Sequence, residues 1–266
     1  MKIKSYKANN YGTQEWAIKT VNCCTGCSHD CIYCYAKGMA IRFKQLTRGQ
    51  WPLERIRPKD VDRIYQKYDG QVMFPSSHDI TPNNLNACLT VLKCLLVVGN
   101  KMLVVSKPHL ECIKAFCELF RPYRRRILFR FTIGACDDRI LSYWEPNAPC
   151  YEERKACLEY AYNADFRTSV SVEPMLDSAN IDILISELSP YVTHSIWIGK
   201  MNHLGRFEKG TYMVLKQATN RIRQGQMDII IKQIYERYKN NPLIRWKEEI
   251  KKIVGIPLSR QNGLDK

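Results

Sequence analysis

The sequence predicts an α/β chain on a parallel sheet of about six β/α units, either a barrel or an open doubly wound sheet. Two observations carry this. From residue 71 onward, short runs rich in β-branched and aromatic residues alternate with helical stretches. Successive strand-like runs begin 25 to 42 residues apart, which leaves room for a helix in each connection. Parallel strands need such crossovers, and the crossovers are right-handed. A third observation adds a unit at the front, where a strand-like run leads directly into a dense group of cysteines.

In chain order, "WAIKTV" (16–21) supplies the first strand, and the stretch after Cys34 can begin a helix. Residues 44–70 read as a polar insert containing Trp51, Pro52 and Pro58. The next strands are "QVMFP" (71–75), "KMLVVSK" (101–107), "RILFRFTIG" (126–134), "TSVSVEP" (168–174) and "HSIWIGK" (194–200), each bounded by Pro, Gly or charge. Helical stretches lie between them. In the first, Thr81 can cap and Pro82 occupies the opening turn, where its missing N–H costs nothing. After residue 204 the pattern turns helical and basic, with Gly225 as a break. We expect one domain with appendages: a barrel over 1–203, carrying the 44–70 insert, and basic helices over 204–266 packed on it.

A chain of 266 residues can bury a sizeable core. The opening "MKIKSYKANNYG" lacks an apolar run, and the most apolar segment, "ACLTVLKCLLVVG", is short and carries Lys93, so we expect no membrane span and a cytoplasmic location. Twelve cysteines in such a chain point to metal or redox use rather than to a disulfide framework. The net charge of +15 is unevenly placed. Residues 1–70 hold 13 Lys/Arg against 6 Asp/Glu, residues 200–266 hold 15 against 6, and the centre is near neutral. Basic flanks attract polyanions, nucleic acid above all, or form a solvated lysine-rich surface.

Five cysteines fall within "VNCCTGCSHDCIYCYAKGM" (21–39). Cys27, Cys31 and Cys34 follow the spacing C-x3-C-x2-C. An iron–sulfur cube takes cysteine thiolates, usually four, so three close ones leave one iron open. Structural zinc takes a closed set of four, which Cys23, Cys24 or His29 would have to complete. A third reading makes Cys23 and Cys24 small buried residues at a strand end.

With Tyr33 just before the last cysteine and a strand just before the first, this constellation resembles the radical S-adenosylmethionine superfamily. "GCSHDCIYCYA", "SSHD" (76–79), "SKPHL" (106–110), "WEPNAPCYEERKACLEYAYNADF" (144–166) and "VSVEPML" (170–176) resemble its spore photoproduct lyase and DNA-repair-photolyase-like branch, in order, over roughly residues 16 to 202. The resemblance implies a partial (β/α)6 barrel with a C-terminal helical extension. It implies that Cys27, Cys31 and Cys34 bind a [4Fe–4S] cluster whose fourth iron chelates S-adenosylmethionine. It further implies an external one-electron donor, reductive cleavage of the sulfonium and hydrogen abstraction from a substrate, in a lyase- or repair-like reaction on DNA or RNA. Two other classes stay open: radical modification of a protein or small molecule, and a non-catalytic zinc or iron–sulfur protein that binds nucleic acid.

Ser76, Ser77 and Asp79 follow the second strand, where such enzymes recognise the amino group of S-adenosylmethionine; the bland reading gives Ser77 and Asp79 a turn-forming role. Lys107, at the end of the third strand, faces ligand or snorkels to solvent. Strand alternation puts Arg130 and Thr132 on one face, and Ser169, Ser171 and Glu173 on one face. A barrel turns these polar faces into its lumen, with the last residues at the catalytic rim. There they would contact S-adenosylmethionine, unless Arg130 and Glu173 simply pair with each other. His29 and Tyr35 are expected to shape the cysteine loop, with His78 a less specific neighbour.

Among the basic residues, "RPYRRR" (121–126) reads as a solvated turn at the far end of the barrel. Arg42, Lys44, Arg48, Lys200, Arg206, Arg221 and Arg223 are better placed to guide a polyanion. Trp51, Tyr65, Trp197, Tyr212 and Trp246 either stack on bases or fill the core. Cys88 and Cys94 read as buried in a helix, whereas Cys136 and Cys150 lie near the fourth strand's rim as candidate hydrogen donors.

Overall fold

Seven parallel strands lie side by side in the order in which the chain makes them. The computed structural model describes residues 12–207, 213–259 and 261–265. Its main sheet contains β1 (Lys19–Thr20), β4 (Gln71–Phe74), β5 (Lys101–Ser106), β6 (Ile127–Thr132), β7 (Arg167–Val172), β8 (Ser195–Ile198) and β9 (Ile244–Trp246). Between β1 and β4 a separate antiparallel pair forms from β2 (Cys24–Thr25) and β3 (Arg55–Ile56). A doubly wound sheet reverses its strand order at a switch point. The order here never reverses, so the helices that connect successive strands lie on one face and the sheet curls into a partial barrel.

The helices are α1 (Tyr35–Arg42), α2 (Pro58–Val61), α3 (Leu85–Val97), α4 (Leu110–Phe120), α5 (Asp138–Trp144), α6 (Tyr151–Asn163), α7 (Ile181–Leu188), α8 (Met213–Gly225), α9 (Asp228–Tyr238) and α10 (Glu248–Val254). Their apolar stripes explain the outer core. In α3 the buried residues are Cys88, Val91, Leu92, Leu95 and Leu96, and in α4 Cys112, Ile113, Phe116, Cys117 and Phe120. This i, i+3, i+4, i+7 spacing faces the sheet, and each fully buried Leu or Phe contributes about 1.5–3 kcal/mol. Cys88 is buried there as expected, and Cys94 is half-buried. Thr81 and Asn84 form the predicted cap ahead of α3, with Pro82 in the first turn.

A second, smaller cluster fills the lower lumen: Trp16, Ala17, Met73, Leu103, Leu128 and Trp197. The open edges of the sheet, β1 and β9, are stitched by charge. Glu15, ahead of β1, pairs with Lys247 at 2.7 Å and Lys251 at 2.9 Å, both just after β9.

Two features differ from the reading of the sequence. The first strand spans only Lys19–Thr20. The basic C-terminal segment is not purely helical, because Ile244–Trp246 adds a seventh parallel strand to β8. Three residues before a charged helix are too short for periodicity to reveal. Trp51, Tyr65, Trp197 and Trp246 are buried, so none is placed to stack on a base; Tyr212 lies outside the described residues. Arg121–Arg126 forms a helical turn entering β6, at the end of the barrel away from the strand C-termini. No helix among the described residues is long and apolar enough to cross a membrane.

Candidate active site

The cysteine loop is held from both sides. Gly26 turns it at φ +92°, a left-handed conformation that favours glycine, and a Cβ there would sit 2.6 Å from the Trp51 carbonyl oxygen. The Cys27 N–H donates to that same oxygen at 3.0 Å. Glu54 accepts from the Ser28 N–H and hydroxyl, both at 2.9 Å, and from Thr81 at 2.6 Å. The polar insert is thus the outer wall of the loop. Asn22 ties the loop to the next strand's turn, its Oδ1 accepting from the Ser76 and Ser77 N–H groups at 2.7 and 2.8 Å. On the other side the Tyr33 hydroxyl donates to Glu145, which pairs with Arg154 at 2.6 Å, both carboxylate and guanidinium fully buried.

Cys27, Cys31 and Cys34 all line one cavity of about 600 Å³ at the C-terminal ends of the strands. Burial pushes all three thiols up, and the carboxylate of Asp79 adds to this at Cys27. Cys23 and Cys24 point elsewhere. The Cys23 Sγ lies 3.7 Å from Cys88, and Cys24 donates to the Thr25 and Gly26 carbonyls. Nor does His29 line the cavity. Its Nδ1 meets Asp79 at 2.9 Å and its Nε2 meets His109 at 2.8 Å, so both ring nitrogens are taken. Cys27, His29 and Asp79 are close enough to share a small ion, their donor atoms within 4.8 Å. Cys23 and Cys24 therefore do not close a four-ligand set around the triad, and His29, though within reach of Cys27, is held by Asp79 and His109. Asp79 comes nearest, 3.9 Å from Cys27, but is engaged by its own partners.

Those partners are Lys107 and His29. Burial alone would raise the Asp79 carboxyl; the Lys107 ammonium at 3.3 Å and the His29 bond outweigh it and hold the group well below its ordinary range. The Lys107 N–H also donates to Asp79, at 2.9 Å. Lys107 itself faces the cavity and lies over the Tyr33 ring, 5.7 Å from its centroid, so it does not snorkel to solvent. Burial opposes its charge, yet Asp79 keeps it protonated well above the usual lysine range.

The lumen face reads as the strand alternation requires, but depth divides it. Thr132 and Ser171 pair in register and line the cavity with Glu173, Ser76 and Ser77. One layer down, Arg130 pairs in register with Ser169, and Ser169 with Ser195. Arg130 does not line the cavity. Its guanidinium is fully buried over Trp16 and Trp197, donates to Ser169 at 3.0 Å and meets Asp265 at 2.8 Å. This corrects both readings of Arg130, as a ligand contact and as the partner of Glu173. Glu173 instead faces Lys247 at 3.8 Å; burial raises its carboxyl and Lys247 opposes that rise.

Sequence reasoning missed Trp16, Asn22, Glu54, Glu145, Arg154 and Lys247. Glu145 and Arg154 lie inside a stretch already singled out, nine positions apart, but nothing local said that they meet. Lys247 is buried and borders the cavity because β9 delivers it there. Cys136 and Cys150, the candidate hydrogen donors, do not line the cavity.

No family model matches the chain. An uncharacterized protein, ORF301 of Acidianus two-tailed virus, is 23% identical over 208 residues, 71% of this chain and 67% of the relative. A spore photoproduct lyase mutant with dinucleoside spore photoproduct superposes with a TM-score of 0.52 at 14% identity, over 79% of this chain and 62% of the lyase. The fold is that of spore photoproduct lyase. Streptococcus suis SuiB shares it, with a TM-score of 0.52 at 8% identity over 92% of this chain and 54% of SuiB. The chain thus spans about 60% of the lyase's length. The donor set fits a [4Fe–4S] cluster: three thiols share one cavity, and His29, the histidine within reach of Cys27, has both ring nitrogens engaged by Asp79 and His109. Near the triad the walls offer the Lys107 cation and hydroxyls on Ser76, Ser77, Thr132 and Ser171, a lining suited to a zwitterionic nucleoside.

Proposed function

We propose that the protein is a radical S-adenosylmethionine enzyme acting on a phosphate-bearing substrate, nucleic acid being the class its charge favours. One observation carries the reading: three cysteines in C-x3-C-x2-C spacing line a single cavity at the C-terminal rim of a parallel partial barrel. When bound, cluster and S-adenosylmethionine together supply one-electron cleavage of a carbon–sulfur bond and, from it, hydrogen abstraction from substrate.

The chain's own residues bind, orient and shield. Cys27, Cys31 and Cys34 would hold the cluster. Lys107, kept charged and aimed by Asp79, would receive the carboxylate of S-adenosylmethionine, and Ser76 and Ser77 its amino group. Thr132, Ser171 and Glu173 would offer hydrogen-bond partners to its ribose. Trp16, Met73 and Val105 border the cavity from below and keep water out. Arg130 holds the floor.

Support for an anionic substrate comes from Lys200 and Arg206, which line the same cavity. Cations lining a cleft concentrate polyanions. Lyase-type repair of a nucleic-acid lesion, the reaction of the superposed lyases, is one reaction of this class. The cluster would need an external one-electron donor whichever substrate is used.

The test is anaerobic reconstitution with iron and sulfide, followed by 5′-deoxyadenosine release with and without DNA or RNA. The expected protein is brown, and polynucleotide stimulates release. Cys31→Ala should abolish both colour and release. A colourless protein holding stoichiometric zinc would overturn the enzyme reading, and release indifferent to any nucleic acid would overturn the substrate.

A further inference from the structure

Helix α1 starts directly at the last cluster cysteine and turns an apolar face to solvent. Tyr35, Met39 and Phe43 are 63%, 41% and 60% exposed, four residues apart along one side. Such a stripe ordinarily faces a core. Single exposed apolar residues need no explanation, but an aligned row beside a functional site marks an interaction surface.

The charge around the row is one-sided. From Cys31 to Leu53 the sequence holds Lys37, Arg42, Lys44 and Arg48 and not one Asp or Glu. Lys37 is occupied by Asp30 at 2.5 Å. Arg42, Lys44 and Arg48 are exposed, and none of them forms an ion pair among the described residues. Arg206 extends the cationic side, donating to the Tyr33 carbonyl beside Gly38.

The row also lies where the triad comes closest to water. Cys27 and Cys31 are each 5% exposed, whereas Cys34, which caps α1 by accepting from the Lys37 N–H at 3.4 Å, is only partly buried. Tyr35, next in sequence, borders the cavity.

We propose that the exposed face of α1 is the docking surface for an acidic one-electron carrier protein, which reduces the cluster by way of Cys34. The inference rests on the reading that the triad holds a cluster. In the step, the carrier loses one electron and the cluster gains one, with no bond made and no proton moved. An apolar centre with a charged rim is the composition of a protein interface. A phosphate backbone would leave Tyr35, Met39 and Phe43 without partners, so a protein fits this face better than a polynucleotide does. The carrier must be acidic, because Arg42, Lys44 and Arg48 would repel a basic one and steer an acidic one.

The experiment uses the full, reconstituted chain and two reductants: an acidic flavodoxin, reduced, and reduced methyl viologen, a small cation. Loss of cluster absorbance is followed in stopped flow at low and high salt. Arg42→Glu/Lys44→Glu and, separately, Met39→Ser/Phe43→Ser should each slow reduction by flavodoxin about tenfold or more at low salt. Reduction by the viologen should not slow in either. Added salt should slow flavodoxin reduction of the parent. Parent protein reduced by viologen but not by flavodoxin would overturn the proposal, as would variants that flavodoxin reduces at the parent rate. Slowing by both reductants alike would place the effect at the cluster and overturn it too. Polynucleotide binding lost in the charge variant, with flavodoxin reduction intact, would assign the face to nucleic acid instead. A parent without cluster absorbance would sink the cluster reading itself, a distinct result.

Discussion

Arg130 donates from Nη2 to both carboxylate oxygens of Asp265, at 2.8 and 2.9 Å, across 135 positions of sequence. The guanidinium is fully buried over Trp16 and Trp197, and the backbone around Asp265 is pinned beside the first strand by Asp265 N–H to Glu15 O at 3.0 Å. This pair seals the floor of the barrel beneath the candidate active site.

Removing one partner leaves the other charge buried and unpaired, which costs about 3–5 kcal/mol. Asp265→Asn is therefore expected to lower the free energy of unfolding by that amount, read as a lower denaturant midpoint at unchanged slope. Arg130→Met combined with Asp265→Asn should recover much of the loss. A full-sized effect in the double variant would show that the charge pair is not the reason.

Glu249 offers a pH test of the rim. Burial, with Glu173 adding to it, pushes its carboxyl up to about 8 from the ordinary 4.5, and its Oε2 has no partner. An acid whose folded pKa exceeds its unfolded one holds its proton longer in the folded state, so stability falls as pH rises through that window. Glu249→Gln mimics the protonated form and keeps an acceptor for the Lys200 N–H. The expected result is a gain of the order of 1–3 kcal/mol at pH 8 that vanishes below about pH 4.5. Thermal melts of both proteins across pH 4 to 8 check it.

Gly26 tests whether the polar insert builds the cysteine loop. A side chain there meets the Trp51 and Leu53 carbonyl oxygens at 2.6 and 2.9 Å, in a left-handed backbone. Gly26→Ala should destabilise by more than about 2 kcal/mol and sharply reduce iron incorporation. Gly49→Ala, with open space around its Cβ, should do neither. Iron and sulfide assays with melting curves separate the two.

The cysteines divide by place. Cys136→Ala and Cys150→Ala should leave 5′-deoxyadenosine release unchanged, since neither lines the cavity. Cys27→Ala and Cys34→Ala should match Cys31→Ala in losing it. Product analysis in the Cys136 and Cys150 variants would reveal a hydrogen-donor role that release alone does not report.

In the absence of metal the chain should weaken in alkali. Burial pushes Cys24, Cys112 and Cys117 up to about 12 from 9.0, so the folded state keeps thiol protons that the unfolded chain gives up. Stability is expected to decline from about pH 9 toward pH 12. Urea midpoints at pH 8, 9 and 10 check the direction, and a rise would contradict it.

Strand periodicity and the cysteine spacing were enough to read five of the strands, the order of β/α units, the triad and the inward faces of β6 and β7. Those features are local: a period of two, a three-residue gap, a run of branched residues. Ser76, Ser77, Asp79, Lys107, Thr132, Ser171 and Glu173 reach one cavity because each follows or ends a strand whose C-terminus is its rim. Periodicity assigns a face but not a depth. That is why Arg130 and Thr132, two residues apart on one strand, meet different partners, a floor carboxylate for the first and the cavity for the second. The contacts of Glu145 with Tyr33, Lys247 with Glu15 and Asp265 with Arg130 join residues 112, 232 and 135 positions apart. No pattern along the chain encodes such pairs. They exist only once the sheet has curled and brought its two edges near each other, where burial makes each charge depend on a partner that only the curled sheet supplies.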